Sequence, residues 1–169
     1  MLTLKDKRLG FTIVELLIVI VVIGILAAIT VVAYNGIQNR ARDAKVSSDM
    51  HNLGLAVNAA RVQTGGALRY VTNSSATGSG CWSKADGTDL ATLLKTDSCW
   101  ASYISALDKI SIASGVNVRN LVDPWGRPYY IDENEDEPAG TCRDDYFGTY
   151  ALPFTTAQTM DKLVSSRYC

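Results

Sequence analysis

The sequence has only one histidine, His51, and it lacks the short motifs of nucleotide-binding proteins. A single histidine argues against a Ser-His-Asp or Cys-His catalytic site. No GxxxxGK[ST] or GxGxxG phosphate loop occurs, and the four cysteines include no CxxC pair of the kind that binds zinc. The net charge of −1 provides no basic field for nucleic acid. The sequence therefore predicts neither an enzyme nor a nucleic-acid-binding protein.

The N-terminal third lacks proline and, over a long stretch, charge. No proline occurs between residues 1 and 123, and no formally charged residue lies between Glu15 and Arg40. The apolar run over residues 10–34 is long enough to cross a bilayer, because about 20 apolar residues at ~1.5 Å each span ~30 Å. Glu15 is the one carboxylate in this run, where burying a charge is costly and usually serves a function.

The second part of the same helix is predicted to be amphipathic. Apolar residues recur there at steps of four and three, which aligns them on one face. This face consists of Val46, Met50, Leu53, Val57 and Ala60. Because no proline interrupts the pattern, the sequence predicts one continuous helix from about residue 11 to about residue 64. Gly65 and Gly66 follow, as glycine commonly does at the end of a helix.

Residues 1–10 form a short basic segment, with Lys5, Lys7 and Arg8 directly before the apolar run. The positive-inside rule places this end in the cytoplasm and the C-terminal part across the membrane. One alternative is an ordinary secretory signal peptide that is cleaved after Ala33. The apolar core of such a signal usually has only about 7–15 residues, and Glu15 lies where it would be uniformly apolar. A plain single-span anchor is the other alternative.

The chain beyond residue 64 begins with a segment rich in glycine, serine, threonine and asparagine, which predicts a loop over residues 65–89. Apolar spacing over residues 100–112 then predicts a second helix. Aromatic-rich segments at residues 127–131 and 146–152 predict strands. Residues 160–168 are predicted to form a last strand or helix.

The order of these elements predicts the α+β class. We expect a long N-terminal helix, apolar and membrane-spanning in its first half, packed against a small antiparallel β-sheet head. An acidic turn over residues 132–140 separates the two predicted strands.

All four cysteines, Cys81, Cys99, Cys142 and Cys169, follow the apolar segment. An even number of cysteines, confined to the part expected outside the cytoplasm, fits disulfide bonds. Four cysteines allow three pairings, and we favour the nearest-neighbour one, Cys81–Cys99 with Cys142–Cys169.

The basic leader ending in Gly10, followed by FTIVELLIVIVVIGILAAI, resembles the class III signal of type IV pilins and type II secretion pseudopilins. The resemblance implies that a membrane-bound prepilin peptidase cleaves between Gly10 and Phe11 and N-methylates the new terminus at Phe11. Methylation keeps the positive charge of the amine. The resemblance also implies the pilin fold and no enzymatic activity.

Cleavage would give Glu15 a partner, because it creates an ammonium group at Phe11. In the membrane neither charge is well solvated, so pairing Glu15 with the ammonium of a neighbouring subunit removes an uncompensated buried charge. The alternative is that Glu15 reaches to the membrane interface. Gly24 and Ala28 form a small-xxx-small pair, which permits helices to approach closely during assembly.

The family resemblance implies four segments. They are a cleaved leader at residues 1–10, a membrane and polymerisation helix at 11–34, an amphipathic half-helix packed on the head at 35–64, and a globular head at 65–169. The implied partners are further copies of the chain or other pilins, the prepilin peptidase, a membrane platform protein and an assembly ATPase. The implied location is the cytoplasmic membrane as a single-pass protein before assembly, and a cell-surface pilus afterwards.

Many members of the family have proline where Val32 stands in this chain. Proline kinks a helix, so the kink common in the family is not expected here.

A second resemblance lies in DPWGRPY, residues 123–129, which is similar to the DPWGxPY segment of major type II pseudopilins. From the residues alone we expect a turn at Pro124 and Gly126, with Trp125 in the core as a strand begins. In major pseudopilins a nearby acidic loop binds calcium. The corresponding weak candidates here are Asp132, Glu133, Asp136, Asp144 and Asp145. Their order does not match an EF-hand, so a solvated acidic turn without a cofactor is favoured.

The position of Cys142 and Cys169 favours a pilin, since type IV pilins often close a C-terminal loop with a disulfide and major pseudopilins usually lack one. A pseudopilin of a type II secretion or competence (DNA-uptake) system is the runner-up. The third alternative belongs to a different functional class: a binding or enzymatic domain tethered to the membrane.

Overall fold

The computed structural model describes residues 10–65, 67–72, 79–133, 144–155 and 160–167. Its elements in chain order are α1 (Ile13–Thr64), α2 (Leu68–Thr72), α3 (Ser79–Trp82), α4 (Ser98–Ser114), β1 (Tyr130–Asp132), β2 (Asp144–Tyr150) and β3 (Met160–Arg167). A long N-terminal helix followed by a small antiparallel sheet confirms the predicted α+β class. The chain divides into two compact units, Met1–Arg42 and Asp43–Cys169.

The first unit contains the apolar part of α1. The helix is continuous over 52 residues, as the absence of proline predicts, and it passes through Val32 without a break. Every residue from 10 to 37 is exposed within the chain. This stretch gives α1 the length and hydropathy needed to cross a membrane. It therefore contributes no packing to the fold of its own chain.

The second unit is built around the later part of α1. All five apolar residues of the predicted face are buried, which confirms the amphipathic pattern: Val46, Met50, Leu53, Val57 and Ala60. The first four of them share one core with residues of α4 and of the sheet, including Tyr103, Leu107, Ile110, Ile131 and Phe147. Burying each large apolar side chain stabilises the fold by about 1.5–3 kcal/mol, so this core is the main source of stability.

Helix α4 extends two residues beyond the predicted range at each end. Asp97 is its N-cap, and its carboxylate accepts a hydrogen bond of 2.9 Å from the amide of Cys99. Gly115 ends the helix with a positive φ of 72°, and its amide donates to the carbonyl of Ser111.

The sheet has the order β1-β2-β3, with both pairings antiparallel. Strand β1 begins at Tyr130, not at residue 127 as predicted. Arg127 instead belongs to a turn, because its backbone amide donates to Asp123. The last predicted element, for which the sequence allowed either a strand or a helix, is the strand β3.

The predicted loop over residues 65–89 is partly wrong, because it contains α2 and α3. A disulfide joins Cys81 in α3 to Cys99 in α4, which is one bridge of the favoured pairing. Gly80 lies so close to α4 that a Cβ atom there would approach the carbonyl oxygen of Ser98 to 2.6 Å. Contacts with α4, which is distant in the sequence, therefore accompany helical turns in a segment whose composition predicts a loop. Cys142 and Cys169 lie outside the described residues.

Candidate assembly and processing segment

The predicted cleavage point, between Gly10 and Phe11, lies just before the start of α1. Both residues are non-helical and exposed, and 79 % of Phe11 is accessible. Since α1 begins only at Ile13, the peptide bond between Gly10 and Phe11 lies outside the helical hydrogen-bond ladder. A bond in this position is accessible to a protease.

Thr12 and Glu15 form a capping box at the first turn of α1. The Thr12 amide and hydroxyl donate hydrogen bonds of 2.8 and 2.7 Å to Oε2 of Glu15. In return, the Glu15 amide donates to the Thr12 hydroxyl at 3.2 Å. The T-x-x-E spacing is a sequence signal for this motif, and our reading of the sequence missed it. Glu15 therefore stabilises the helix start within its own chain.

The helix after Glu15 presents an almost unbroken apolar surface. Thr30 bonds its hydroxyl to the carbonyl of Ala27 at 2.9 Å, so its polar group is satisfied within the helix. A Cβ atom at Gly24 would meet nothing within 4 Å, so the small residue leaves open space on the helix surface. The predicted role of Gly24 in close helix packing stays a prediction.

The acidic candidates for calcium have other contacts where the structure describes them. Asp132 accepts a hydrogen bond of 2.8 Å from the hydroxyl of Tyr130, and burial together with this bond raises the pKa of the tyrosine. Asp145 forms an ion pair with Arg61 of α1, in which both side chains are buried. Glu133, directly after β1, is fully buried.

Asp136 lies outside the described residues, and Asp144 is described only by its backbone at the start of β2. Across the parts of the chain that the structure describes, no three His, Cys, Asp or Glu residues form a group able to hold a metal ion. Calcium binding therefore stays the weaker of the two alternatives from the sequence, and nothing in the described residues adds to it.

The DPWGRPY segment forms a tight turn held by Asp123 and Arg127. Asp123 accepts hydrogen bonds from the amides of Trp125 and Arg127 at 2.9 and 2.8 Å, and its other oxygen accepts from Arg127 Nε at 2.7 Å. The remaining guanidinium nitrogens donate to the carbonyls of Tyr150 and Ala151, each at 3.0 Å. Arg127 therefore joins this turn to the end of β2.

Two expectations for this turn have different outcomes. Gly126 has a φ of 80°, which confirms the predicted turn. Trp125, expected in the core, is 38 % exposed, so that prediction is wrong. Beside it lies a pocket of about 210 Å³. Its lining consists of Asp43, Val46, Trp125, Arg127, Thr149, Tyr150 and Leu152.

Comparison with known proteins identifies the N-terminal segment. Residues 5–31 match the family model described as the prokaryotic N-terminal methylation motif. The match covers the basic part of the leader from Lys5 to Gly10, then Phe11, Glu15 and most of the apolar run. Neither the curated proteins nor the solved structures contain a match to this chain. The motif and the exposed apolar helix together show that the chain carries the class III signal of the type IV pilins and type II secretion pseudopilins.

Proposed function

We propose that this protein is a structural subunit of a type IV pilus-like filament and that it polymerises through α1. The observation that carries the proposal is the methylation motif on a helix whose residues 10–37 are all exposed and include one charge, Glu15. An apolar surface of this size is unfavourable in water. It requires a membrane before assembly and the helices of other copies afterwards.

Processing by prepilin peptidase would supply the second charge that assembly needs. Cleavage of the exposed bond between Gly10 and Phe11 leaves an ammonium group one residue before Thr12. N-methylation keeps its positive charge. The removed leader carries Lys5, Lys7 and Arg8, so the mature terminus loses the basic segment that holds it in the cytoplasm.

Glu15 is suited to bind that ammonium in a neighbouring copy while it still caps its own helix. Both hydrogen bonds from Thr12 reach Oε2, so Oε1 remains accessible for a second partner. In the low-dielectric surroundings of packed helices, a carboxylate and an ammonium stabilise each other when each lacks water. The pairing would set the axial register between subunits.

The proposal also implies the location of the subunit and its other interaction partners. Before assembly, α1 holds it in the cytoplasmic membrane as a single-pass protein with the N-terminus inside. A membrane platform protein and an assembly ATPase then move it into the filament at the cell surface. The second unit, from Asp43 onward, would form the outer layer of that filament.

The experiment that tests the proposal separates cleavage from assembly. Glu15→Ala should abolish sheared surface filaments while the leader is still removed, as shown by the electrophoretic shift and by mass spectrometry of N-methyl-Phe11. Thr30→Ala is the matched control, since it removes a hydroxyl of the same apolar stretch that bonds within its own helix, and it should leave filaments intact. Unchanged assembly by Glu15→Ala would contradict the proposed role.

The second candidate is a pseudopilin of a secretion or competence system, which the likeness of residues 123–129 to DPWGxPY favours. Cell fractionation distinguishes the candidates. Sheared surface fibres support the pilin, and a processed but membrane-confined pool supports the pseudopilin. An uncleaved leader would instead indicate a membrane-tethered domain.

A further inference from the structure

The face of α1 that points away from the core of the second unit carries a row of exposed side chains. Its members recur at steps of three and four, which aligns them along the helix. We call this row the outer seam: Ser48, His51, Leu55, Asn58 and Val62. Leu55 is 53 % exposed and Val62 is 84 % exposed, whereas Leu53 and Val57 on the opposite side of the helix are fully buried. The seam therefore exposes two large apolar side chains that the fold of the chain itself does not cover.

The outer seam contains no formally charged residue, although the exposed face of a helix is usually rich in charge. Over residues 44–64, all of which the structure describes, the formally charged residues of α1 are Lys45, Asp49 and Arg61. Asp49 and Arg61 are buried on the side of the core, and Lys45 forms an ion pair of 2.6 Å with Asp49. The composition of the seam is therefore that of the centre of a protein interface, from which charged residues are depleted.

The spacing of the outer seam is that of a helix which packs against another helix. Residues at alternating steps of three and four form the contact row between near-parallel helices, because this repeat keeps facing the partner. The same steps lead back along the sequence through four uncharged residues, Ala44, Ala41, Ile37 and Tyr34. Helix α1 is continuous over this stretch, and the proposed function brings the helices of neighbouring copies side by side. The occupant that fits the seam is therefore α1 of a second copy.

His51 is the residue of the outer seam that can change its charge. Its neighbours at three and four positions in either direction are uncharged: Ser47, Ser48, Gly54 and Leu55. Because His51 is exposed, no other element of the described chain covers it, and in the assembly it would face the seam of a second copy, which has no formal charge either. Histidine gains a positive charge as the pH falls from about 8 to about 5. A charge that is buried without a counter-charge is unfavourable, so protonation of His51 opposes packing of the seam.

We propose that the outer seam packs against α1 of a second copy and that protonation of His51 loosens this contact. The inference rests on the proposed function and adds sensitivity to acid. With a neutral imidazole the seam is uncharged, whereas an imidazolium brings a positive charge into a contact that supplies no carboxylate. Filaments should therefore be stable at neutral pH and dissociate in mild acid. Carboxyl groups ordinarily take up protons only at about pH 4, so the second unit should stay folded in this range.

Sedimentation of sheared filaments of the full chain tests the acid sensitivity. The pelleted fraction at about pH 5, divided by that of the same protein at neutral pH, should fall several-fold for the unmodified chain. His51→Gln keeps a polar side chain that does not titrate, so its ratio should not fall. The double variant His51→Gln with Gln63→His moves the histidine to an exposed position of α1 outside the seam, and it should behave like His51→Gln. An unmodified chain whose ratio does not fall would overturn the inference, as would an equal fall in either variant.

A permanent charge in the seam provides a second readout at neutral pH. Leu55→Lys places an ammonium group in the seam and should reduce the yield of filaments, whereas Gln63→Lys, outside the seam, should not. Leader cleavage and the thermal midpoint of the solubilised subunits show that both variants fold. Equal yields from the two folded variants would overturn the seam contact. If the unmodified chain formed no filaments at neutral pH, the proposed function would fail and the inference with it, whereas filaments that form but resist acid would contradict the inference alone.

Discussion

Thr12 and Glu15 hold each other by reciprocal hydrogen bonds at the first turn of α1, immediately after the predicted cleavage point. The family resemblance implies that Glu15 pairs with a neighbouring subunit, and that role stays a prediction. Within its own chain Glu15 caps the start of α1. Thr12 determines where α1 begins, so it also leaves Gly10 and Phe11 outside the helix.

The first prediction concerns Thr12→Ala, which removes the hydroxyl from the capping box. Loss of an N-cap side chain costs about 1 kcal/mol. The amide of Glu15 should therefore exchange its hydrogen roughly fivefold faster, measured by NMR on the full chain in detergent micelles. Thr12→Ser keeps the hydroxyl and should exchange like the unmodified chain. Equal rates in all three proteins would show that the box does not stabilise the helix start.

The second prediction concerns the buried ion pair between Arg61 and Asp145, which joins the last turn of α1 to β2. Arg61→Met removes the guanidinium that pairs with the buried Asp145 carboxylate and should lower the free energy of unfolding by about 3–5 kcal/mol. Urea unfolding followed by tryptophan fluorescence measures the change. Adding Asp145→Leu also removes the buried carboxylate and should recover most of the loss.

The control for this experiment is Arg119→Met, which breaks the exposed pair with Asp108. It should change the free energy of unfolding by no more than about 1 kcal/mol. If Arg61→Met were as mild as Arg119→Met, the buried pair would not stabilise the fold.

The sequence was sufficient to predict those parts of the fold that one short periodic pattern determines. The steps from Val46 to Ala60 predict both the helix and its buried face, because helical geometry alone places these residues together. The apolar run and the methylation motif are likewise local. The T-x-x-E capping box was equally readable and was overlooked.

The features that the sequence did not predict depend on contacts between residues that lie far apart in the chain. Arg61 and Asp145 are separated by 84 positions, and nothing in either neighbourhood of the sequence indicates the other. Trp125 is partly exposed because Arg127 bonds to the end of β2 and holds the turn at the surface. The helical turns α2 and α3 form in a segment of loop-like composition because the disulfide and α4 hold them in place.

The third prediction uses the close approach of α3 to α4. Gly80→Ala places a methyl group against the backbone of Ser98, which cannot move as a flexible side chain would. We expect a loss of about 1–3 kcal/mol in the free energy of unfolding, together with slower formation of the Cys81–Cys99 disulfide. Thermal unfolding and a thiol assay during oxidative refolding measure the two effects.

Gly54→Ala is the matched control, because a Cβ at that position of α1 would meet nothing within 4 Å. Alanine is a better helix former, so this variant should gain up to about 1 kcal/mol. Equal effects of the two substitutions would show that contact with Ser98 is not the cause.

The last prediction concerns acid and the N-cap of α4. The side chain of Lys84 and the amide of Cys99 donate hydrogen bonds to Asp97, which hold the pKa of its carboxyl below the usual 3.8. Because the pKa of this carboxyl is lower in the folded state than in the unfolded state, the carboxylate stabilises the fold at any pH above its unfolded pKa. This stabilisation is lost as the pH falls through the folded pKa.

Asp97→Asn keeps a capping oxygen but cannot take up a proton. Its thermal midpoint should therefore be lower at pH 7 and should fall less than that of the unmodified chain between neutral pH and about pH 2. Asp108→Asn, in the exposed part of the same helix, is the control for losing a negative charge away from the N-cap. Identical acid profiles for the unmodified chain and Asp97→Asn would show that protonation of this cap does not contribute to acid unfolding.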